Sequence, residues 1–464
     1  MRCNHAPRLG TRPIVLGTIA MVGQAAHAQF VPLDRILPPD AGVFDQFGTD
    51  VAIFEDRLLV TAPADDDVAP DAGAAFLFDA DSGTLVRTLA EPGLVGTDWY
   101  GYAAALSPAT AIVTAWGFDD GGGPAGAVFL YDRDAGDFID TFTPADAEFG
   151  DRFGFSIDAD GNIAIAGAPN ADGARLASGA AYLLDVSAPD AVDELGRLTA
   201  GDGAQGSGFG FSVAIHGSLA LVGAPRDNEI AASSGAAYLF DVSDPRRPIE
   251  LAKLTASDAE AFDFFGKSVA LHGAVAIVGA PDADQPGVSG AGAAYLFDLV
   301  DPREPREVAI LANADVGVLG NFGLHVATDD SVVLVGAPND DAAAANGGAV
   351  FVYDARTGTP LEPIRAGSPS FGARFGTGLD FTGKRLAVGA PQDDGAGVMA
   401  GAAYVFAAPC QADLDGDGEL TIFDFLAFQN LFDAGDPAAD FDGDGELTIF
   451  DFLAFQNAFD AGCG

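Results

Sequence analysis

An aromatic-glycine pair recurs seven times, at Phe47-Gly48, Tyr100-Gly101, Phe153-Gly154, Phe209-Gly210, Phe265-Gly266, Phe322-Gly323 and Phe375-Gly376, with a spacing of 53–57 residues. About 14 residues after the pair comes a β-rich run ending in Gly-Ala-Pro, as in Gly167-Ala168-Pro169, Gly223-Ala224-Pro225, Gly279-Ala280-Pro281, Gly336-Ala337-Pro338 and Gly389-Ala390-Pro391. The first copy reads Thr61-Ala62-Pro63, and the second degenerates to Thr114-Ala115-Trp116. Next come Gly-Ala-Ala-Tyr-Leu-Phe-Asp or a close variant, as in Gly235 to Asp241, and a last short run such as Glu250 to Leu254. Runs this short, β-branched or aromatic, and punctuated by Gly, Pro and Asp predict four antiparallel strands per repeat. The expected fold class is therefore mainly β: a seven-bladed β-propeller of four-stranded antiparallel blades.

The ends of the repeat region predict how such a ring closes. The seventh repeat stops at Tyr404-Val405-Phe406 without a fourth run, while the segment Leu33 to Leu37 is an orphan strand followed by the same kind of linker to Phe47-Gly48. Strand 33–37 is expected to complete the last blade, which removes two exposed sheet edges. These repeats resemble the FG-GAP family, found also in integrin α chains, and the resemblance runs from Phe44 to Phe406. Many blades of that family carry an Asp-x-Asp-x-Asp-Gly calcium loop. Here the corresponding connections are short turns, Asp158 to Asn162, His216-Gly217-Ser218 and His272-Gly273-Ala274, so the family's metal sites are not carried over. A second acidic signal follows each Gly-Ala-Pro: Asp65-Asp66-Asp67, Asp119-Asp120, Asp172, Asp227, Asp282 with Asp284, Asp340-Asp341 and Asp393-Asp394. Its recurrence in every repeat points to turns in which Asp accepts from its own backbone. The other reading is a negative rim that attracts cations or a basic partner.

Beyond the repeats, a 24-residue phrase occurs twice, from Asp413 to Asp436 and from Asp440 to Cys463. Each copy opens with oxygen-bearing residues at the spacing of a calcium loop: Asp413, Asp415, Asp417, Glu419 (through its carbonyl), Thr421 and Asp424, then Asp440, Asp442, Asp444, Glu446, Thr448 and Asp451. Gly418 and Gly445 fall where such a loop must turn sharply. Two Ca2+ ions are expected, although position 12 is Asp in place of the usual Glu. Predicted helices follow, Phe423 to Phe432 and Phe450 to Phe459, apolar almost all round. Duplicated loops ending in Asp, each with a single helix, resemble dockerins of the cysteine-bounded variety, over Cys410 to Gly464 only. That resemblance implies calcium-dependent docking to a cohesin-like scaffold or cell-surface protein. Loop positions 10 and 11 help select the partner in scaffold-binding dockerins and are here Ile422, Phe423, Ile449 and Phe450; with Leu426 and Leu453 they form the expected partner-binding set. The same apolar stripes also fit a plain calcium-stabilised cap. Near-identity of the halves predicts an approximate two-fold axis.

Residues 1–28 read as a secretory signal: Arg2, Arg8 and Arg12, an apolar run from Ile14 to Val22, and Ala26-His27-Ala28 as a cleavage site. The expected organisation is this leader, the propeller over 29–406, a linker at 407–409 and the duplicated module at 410–464, in a protein secreted or held at the cell surface. Cleavage leaves Cys410 and Cys463, one at each edge of the module, most simply a disulfide clasping its ends, with two free thiols as the alternative. The formal net charge is −46, and removing the leader's three arginines takes it to −49. Nucleic acid is excluded as a partner, because binding polyphosphate needs a basic surface. No apolar run reaches the roughly 18–20 residues of a transmembrane span.

Beyond the leader only His216, His272 and His325 remain, the first two in equivalent turns, and no zinc spacing, nucleophile elbow or phosphate loop is present. Carboxylates abound, but nothing singles out a catalytic pair. The expectation is a non-catalytic binding or assembly protein with a protein or glycan as the propeller's ligand. Its rivals are a polysaccharide-degrading hydrolase or lyase carried by the same module, and a structural surface protein capped by it.

Overall fold

A computed structural model describes residues 30–464 except 40–41, 68, 71, 90–93, 120, 122, 188–190, 286, 313–319, 409–411, 415–419, 437–438, 442–446 and 462–464. The expected leader, the two cysteines and the middle of each predicted calcium loop lie outside the described residues. The chain divides into two compact units, one over residues 29–409 and one holding 410–463.

The larger unit is a propeller of seven antiparallel sheets. The fourth blade shows the pattern. Its innermost strand, Ser212–His216, pairs with Leu219–Ala224, which pairs with Ala236–Asp241, which pairs in turn with the outer strand Ile249–Leu254. The two middle strands are buried along nearly their whole length because each face is covered by a neighbouring blade. That is why they read as continuous apolar runs, while the outer strand is exposed at its start, half-buried along its middle and buried only at Leu254. A register shift between Leu239 and Phe240 bulges the outer pair, and equivalent shifts occur at Leu77, Leu130, Leu183 and Leu296.

The sixth blade departs from four strands. Val326–Thr328, Val332–Ala337 and Ala349–Asp354 form a three-stranded sheet, and only isolated bridges, Val350 to Ile364 and Tyr353 to Pro360, stand in the outer position. Pro360 and Pro363 remove two backbone donors from that segment.

The aromatic-glycine markers and the Gly-Ala-Pro runs are two halves of one joint between blades. The seven marker aromatics, Phe47, Tyr100, Phe153, Phe209, Phe265, Phe322 and Phe375, are fully buried. The glycine of each Gly-Ala-Pro lies against the marker glycine of the next blade. A Cβ placed on Gly167 would come within 2.0 Å of the Gly210 carbonyl oxygen, one on Gly223 within 2.1 Å of Gly266, and one on Gly389 within 2.0 Å of Gly48. The last of these contacts joins the seventh blade to the first.

The closing sheet combines both ends of the unit. Strand Val31–Ile36, two residues earlier at its start than the sequence suggests, pairs antiparallel with Ala402–Ala407, the third strand of the seventh blade. Arg35 on this strand forms an ion pair with Asp393, whose side chain is fully buried, and lies over the Tyr404 ring. Tyr404 donates its hydroxyl to the other oxygen of Asp393 at 2.9 Å. The fourth blade repeats the arrangement with its own outer strand. There the Lys253 ammonium lies 3.2 Å from Asp227, 2.8 Å from Asp202 and 2.7 Å from Glu229, under the Tyr238 ring. Burial opposes the charge on Lys253, but the hydrogen bonds it donates to Asp202 and Glu229 outweigh this and raise its pKa. Arg35 thus plugs the N-terminal strand into the site an ordinary outer strand would fill. Arg35→Ala strands part of a buried carboxylate's bonding and is expected to cost about 2 kcal/mol. Thermal unfolding of the variant checks this, with Arg356→Ala, an exposed turn residue, as the silent control.

Candidate functional site

The smaller unit is built from two helices, Ile422–Ala434 and Ile449–Ala461, each starting one residue before the predicted helix and running two beyond it. Thr421 caps the first: its hydroxyl accepts from the Phe423 amide at 3.1 Å, and Asp424 accepts from the Thr421 amide at 2.8 Å, a reciprocal capping box. Gly435, in the left-handed conformation at φ 70°, ends it by donating to Leu431 and Phe432. The second copy repeats the cap, with Thr448 accepting from Phe450 at 3.1 Å and Asp451 accepting from Thr448 at 2.6 Å.

Asp424 and Asp451 are both 0 % exposed. The second oxygen of Asp424 accepts from the Leu414 amide at 2.8 Å, so the last loop position is drawn to the residue beside the first, Asp413. A carboxylate is not buried without compensation. With Asp413 and Asp440 half-buried at the loop entrances, the described members of each set, Asp413, Thr421 and Asp424, then Asp440, Thr448 and Asp451, offer oxygen donors alone. That chemistry fits a hard cation and suits no soft one. Asp415, Asp417, Glu419, Asp442, Asp444 and Glu446 lie outside the described residues, as do Cys410 and Cys463.

Phe428 and Phe455, at equivalent positions of the two copies, stack at 4.4 Å with an interplanar angle of 9°, and Phe425 meets Phe452 at 5.7 Å. Phe425 to Phe455 and Phe428 to Phe452, 6.0 and 6.1 Å, mirror each other across that stack. The helices therefore pack these phenylalanines against each other along an approximate two-fold axis. Six apolar side chains are left over: Ile422, Phe423 and Leu426 are 64, 62 and 46 % exposed, and Ile449, Phe450 and Leu453 are 64, 63 and 46 % exposed. The match between halves makes this a repeated surface and not a ragged helix end. All six expected partner-facing residues lie in it.

On the propeller, the acidic residues after Gly-Ala-Pro hold turns. Asp65, Asp227, Asp340 and Asp393 are buried, and each accepts from the amide two residues on, at 3.1, 3.0, 3.1 and 2.7 Å. Asp172, Asp341 and Asp394 accept from the amide five residues on, each within 2.8 Å, and close the loop behind.

Three carboxylates lie around the axis: Asp50 and Asp380 escape sequence reasoning, and Asp158, expected in a turn, lies inside the strand Ser156–Asp160. Asp50 accepts from the Ala104 amide at 2.9 Å, Asp158 from Ile215 at 2.7 Å and Asp380 from Ile53 at 2.7 Å, each bond crossing from one innermost strand to the next blade's. Burial pushes Asp50 and Asp158 up to about 7 and Asp380 up to about 6, and Asp380 adds repulsion to the other two. Asp158 and Asp380 share one position, five residues beyond the marker aromatic, where other blades carry alanine; that exception is the one signal the sequence offers for them.

Six stretches of the chain, residues 32–78, 138–184, 192–240, 249–297, 305–353 and 364–406, match the model of the FG-GAP repeat, and together they cover more than half of it. The chain belongs to the FG-GAP repeat family. No curated protein matches it. The matched unit is offset from the blade: residues 32–78 run from the closing strand through the first three strands of the next sheet. The FG-GAP stretches skip residues 79–137, where Tyr100 and Trp116 replace the usual phenylalanine and proline, yet a four-stranded blade forms there.

The axial carboxyls make stability depend on pH with a defined sign. Because each sits above its ordinary value of 3.8, the folded ring keeps protons that the unfolded chain releases, so their contribution is lost as pH rises from about 4 through 7. Asp158→Asn keeps the acceptor for Ile215 and removes one titration. The variant is expected to melt higher than the parent at pH 8, by a margin that shrinks toward pH 5. An equal margin at both would remove the assigned cause.

Proposed function

We propose that this FG-GAP protein is an exported, non-catalytic binding and assembly protein. Its propeller presents a recognition surface, and its duplicated module, which resembles a cysteine-bounded dockerin, attaches it to a cohesin-like scaffold or cell-surface protein in a calcium-dependent way. The observation that carries the reading is the pair of equal apolar triplets, Ile422, Phe423, Leu426 and Ile449, Phe450, Leu453, beside two loops of oxygen donors. Leaving large apolar side chains in water forgoes about 1.5–3 kcal/mol for each one that a partner would bury. Placing them at the first turn of each helix ties their position to the loop that precedes it. Two calcium ions, one in each loop, would be held by Asp413, Asp415, Asp417, Thr421, Asp424 and the Glu419 carbonyl, and by Asp440, Asp442, Asp444, Thr448, Asp451 and the Glu446 carbonyl. Bound there, they fix the loop against the capped helix start and so set the angle at which each triplet is shown.

Immobilised full chain is expected to retain a partner from the source organism's envelope or culture fluid with calcium and to release it with chelator. Phe423→Glu with Phe450→Glu should abolish retention while calorimetry still shows calcium uptake. Retention that survives both changes would reject the docking face. Capture of nothing by calcium-loaded protein would favour a cap.

A further inference from the structure

One entrance to the propeller's axial channel, on the face that carries the marker pairs, is lined unlike the rest of the surface. The residue after each marker glycine leads into an innermost strand or, for Tyr102, lies within it, and three of these residues touch from blade to blade: Tyr102 meets Phe155 at 4.9 Å, and Phe155 meets Phe211 at 4.7 Å. Next in the ring is Lys267, its ammonium 4.7 Å from the centre of Phe211. At the other end the arc continues through Trp116, 5.9 Å from Tyr102, to Trp99, stacked on Trp116 at 5.5 Å. The Arg152 guanidinium lies 4.8 Å over Trp116. Trp116 stands where most other repeats have proline, and Trp99 and Trp116 are the only two tryptophans in the chain.

Two observations mark this arc as more than core. Trp99 is 43 % exposed, with one face on Trp116 and the remainder open. Arg152 and Lys267 make no salt bridge among the described residues, although acids outnumber Lys and Arg by 68 to 22. Both are half-buried beside aromatic faces, where an anionic ligand would meet a cation that no carboxylate already holds in a salt bridge. Burial disfavours the charge on Lys267 by more than Asp282 supports it, and Arg226 adds repulsion, so an anion placed there gains more than it would at an open surface. Because the chain's own cations already lie over Phe211 and Trp116, a basic ligand would meet like charge.

We propose that this entrance binds an acidic saccharide, a uronate-bearing chain that stacks a ring face on the open side of Trp99, follows the half-buried edges of the arc to Phe211, and pairs its carboxylates with Arg152 and Lys267. Aromatic side chains offer broad apolar faces to the C–H faces of a sugar ring, and Arg and Lys give carboxylates charge-assisted hydrogen bonds. The inference rests on reading the propeller as a recognition surface and names the class of ligand. Self-repulsion from the remaining acids is screened beyond about 8 Å at physiological salt, so short-range pairing decides the outcome.

Both tryptophans belong to the arc, so tryptophan emission of the full chain reports on this site directly. With chelator present to exclude calcium bridging, a titration with hexameric oligogalacturonate is expected to shift the emission saturably. Lys267→Gln and Arg152→Gln should each raise Kd about tenfold or more, while Arg356→Gln, in a turn on the opposite face, leaves it unchanged. Thermal melting of each variant confirms that the ring is intact. Should a variant not fold, weakening of parent binding between low and high salt tests the same pairing. Cellohexaose giving an equal response would overturn acid selectivity while leaving a glycan-binding propeller. A response to oligoglutamate and not to oligogalacturonate would reassign the entrance to an acidic protein segment and overturn the proposal. No emission change with any of the three, in protein still captured through its C-terminal module, would overturn the proposal and leave the docking reading intact.

Discussion

The joints between blades bring together two pieces of backbone that carry no side chain. At Gly167, Gly223, Gly279, Gly336 and Gly389 the neighbouring blade's marker-glycine carbonyl sits where a Cβ would be. Removing the side chain on both sides lets adjacent sheets pack backbone to backbone near the axis. The buried marker aromatic beside each joint then fills the wedge that opens farther out. Everything else in the ring inherits this spacing. Ser156, Ser212 and Ser268 reach across to the same carbonyls with their hydroxyls at 3.1, 2.9 and 2.9 Å, and the axial aspartates cross between innermost strands a little farther along. The channel and its entrance are thus lined by whatever residues follow the marker glycines, and variation there leaves the joints untouched.

The two units handle apolar surface in opposite ways. In the propeller a strand buried between blades exposes almost nothing, and most of the exposed aromatics lie in turns. The loop-helix module is too small to bury its apolar residues so completely. Its core is Phe428, Phe455, Ala412 and Ala439 with a partly buried shell, and the remaining apolar residues of the helix starts stay in solvent. A sequence that only needed a stable cap would place polar residues there with little loss of stability. Retaining isoleucine, phenylalanine and leucine twice, at equal exposure, suits a surface that is meant to be covered.

Much of this architecture is legible in the amino-acid sequence itself. Seven markers at nearly one period, with a strand missing at one end and spare at the other, are enough to specify a closed ring, since the aromatic-glycine pairs and short apolar runs are local and recur in every copy. The exposed triplets are legible for a similar reason: a two-helix unit has a fixed small capacity for burial. What cannot be read is anything decided by neighbours distant in sequence. Asp50, Asp158 and Asp380 look like three among 68 acids until the ring brings them around one axis. Trp116 looks like a decayed proline until Tyr102, Phe155 and Arg152 surround it. The sixth blade's missing outer strand has its local cause in Pro360 and Pro363, a signal outweighed by six more regular copies.

The joint between Val31–Ile36 and Ala402–Ala407 also has a temporal meaning. A chain made from its N-terminus presents the closing strand first and its partner last, some 370 residues later. Until then, the seventh sheet has an open edge and Asp393 has no arginine. Fragments lacking either segment are left in the same unfinished state, with an unpaired strand and an uncompensated buried charge. The ring thus carries a completeness test, since only a chain holding both segments presents a surface without an edge for a protease or a sticky neighbour to use.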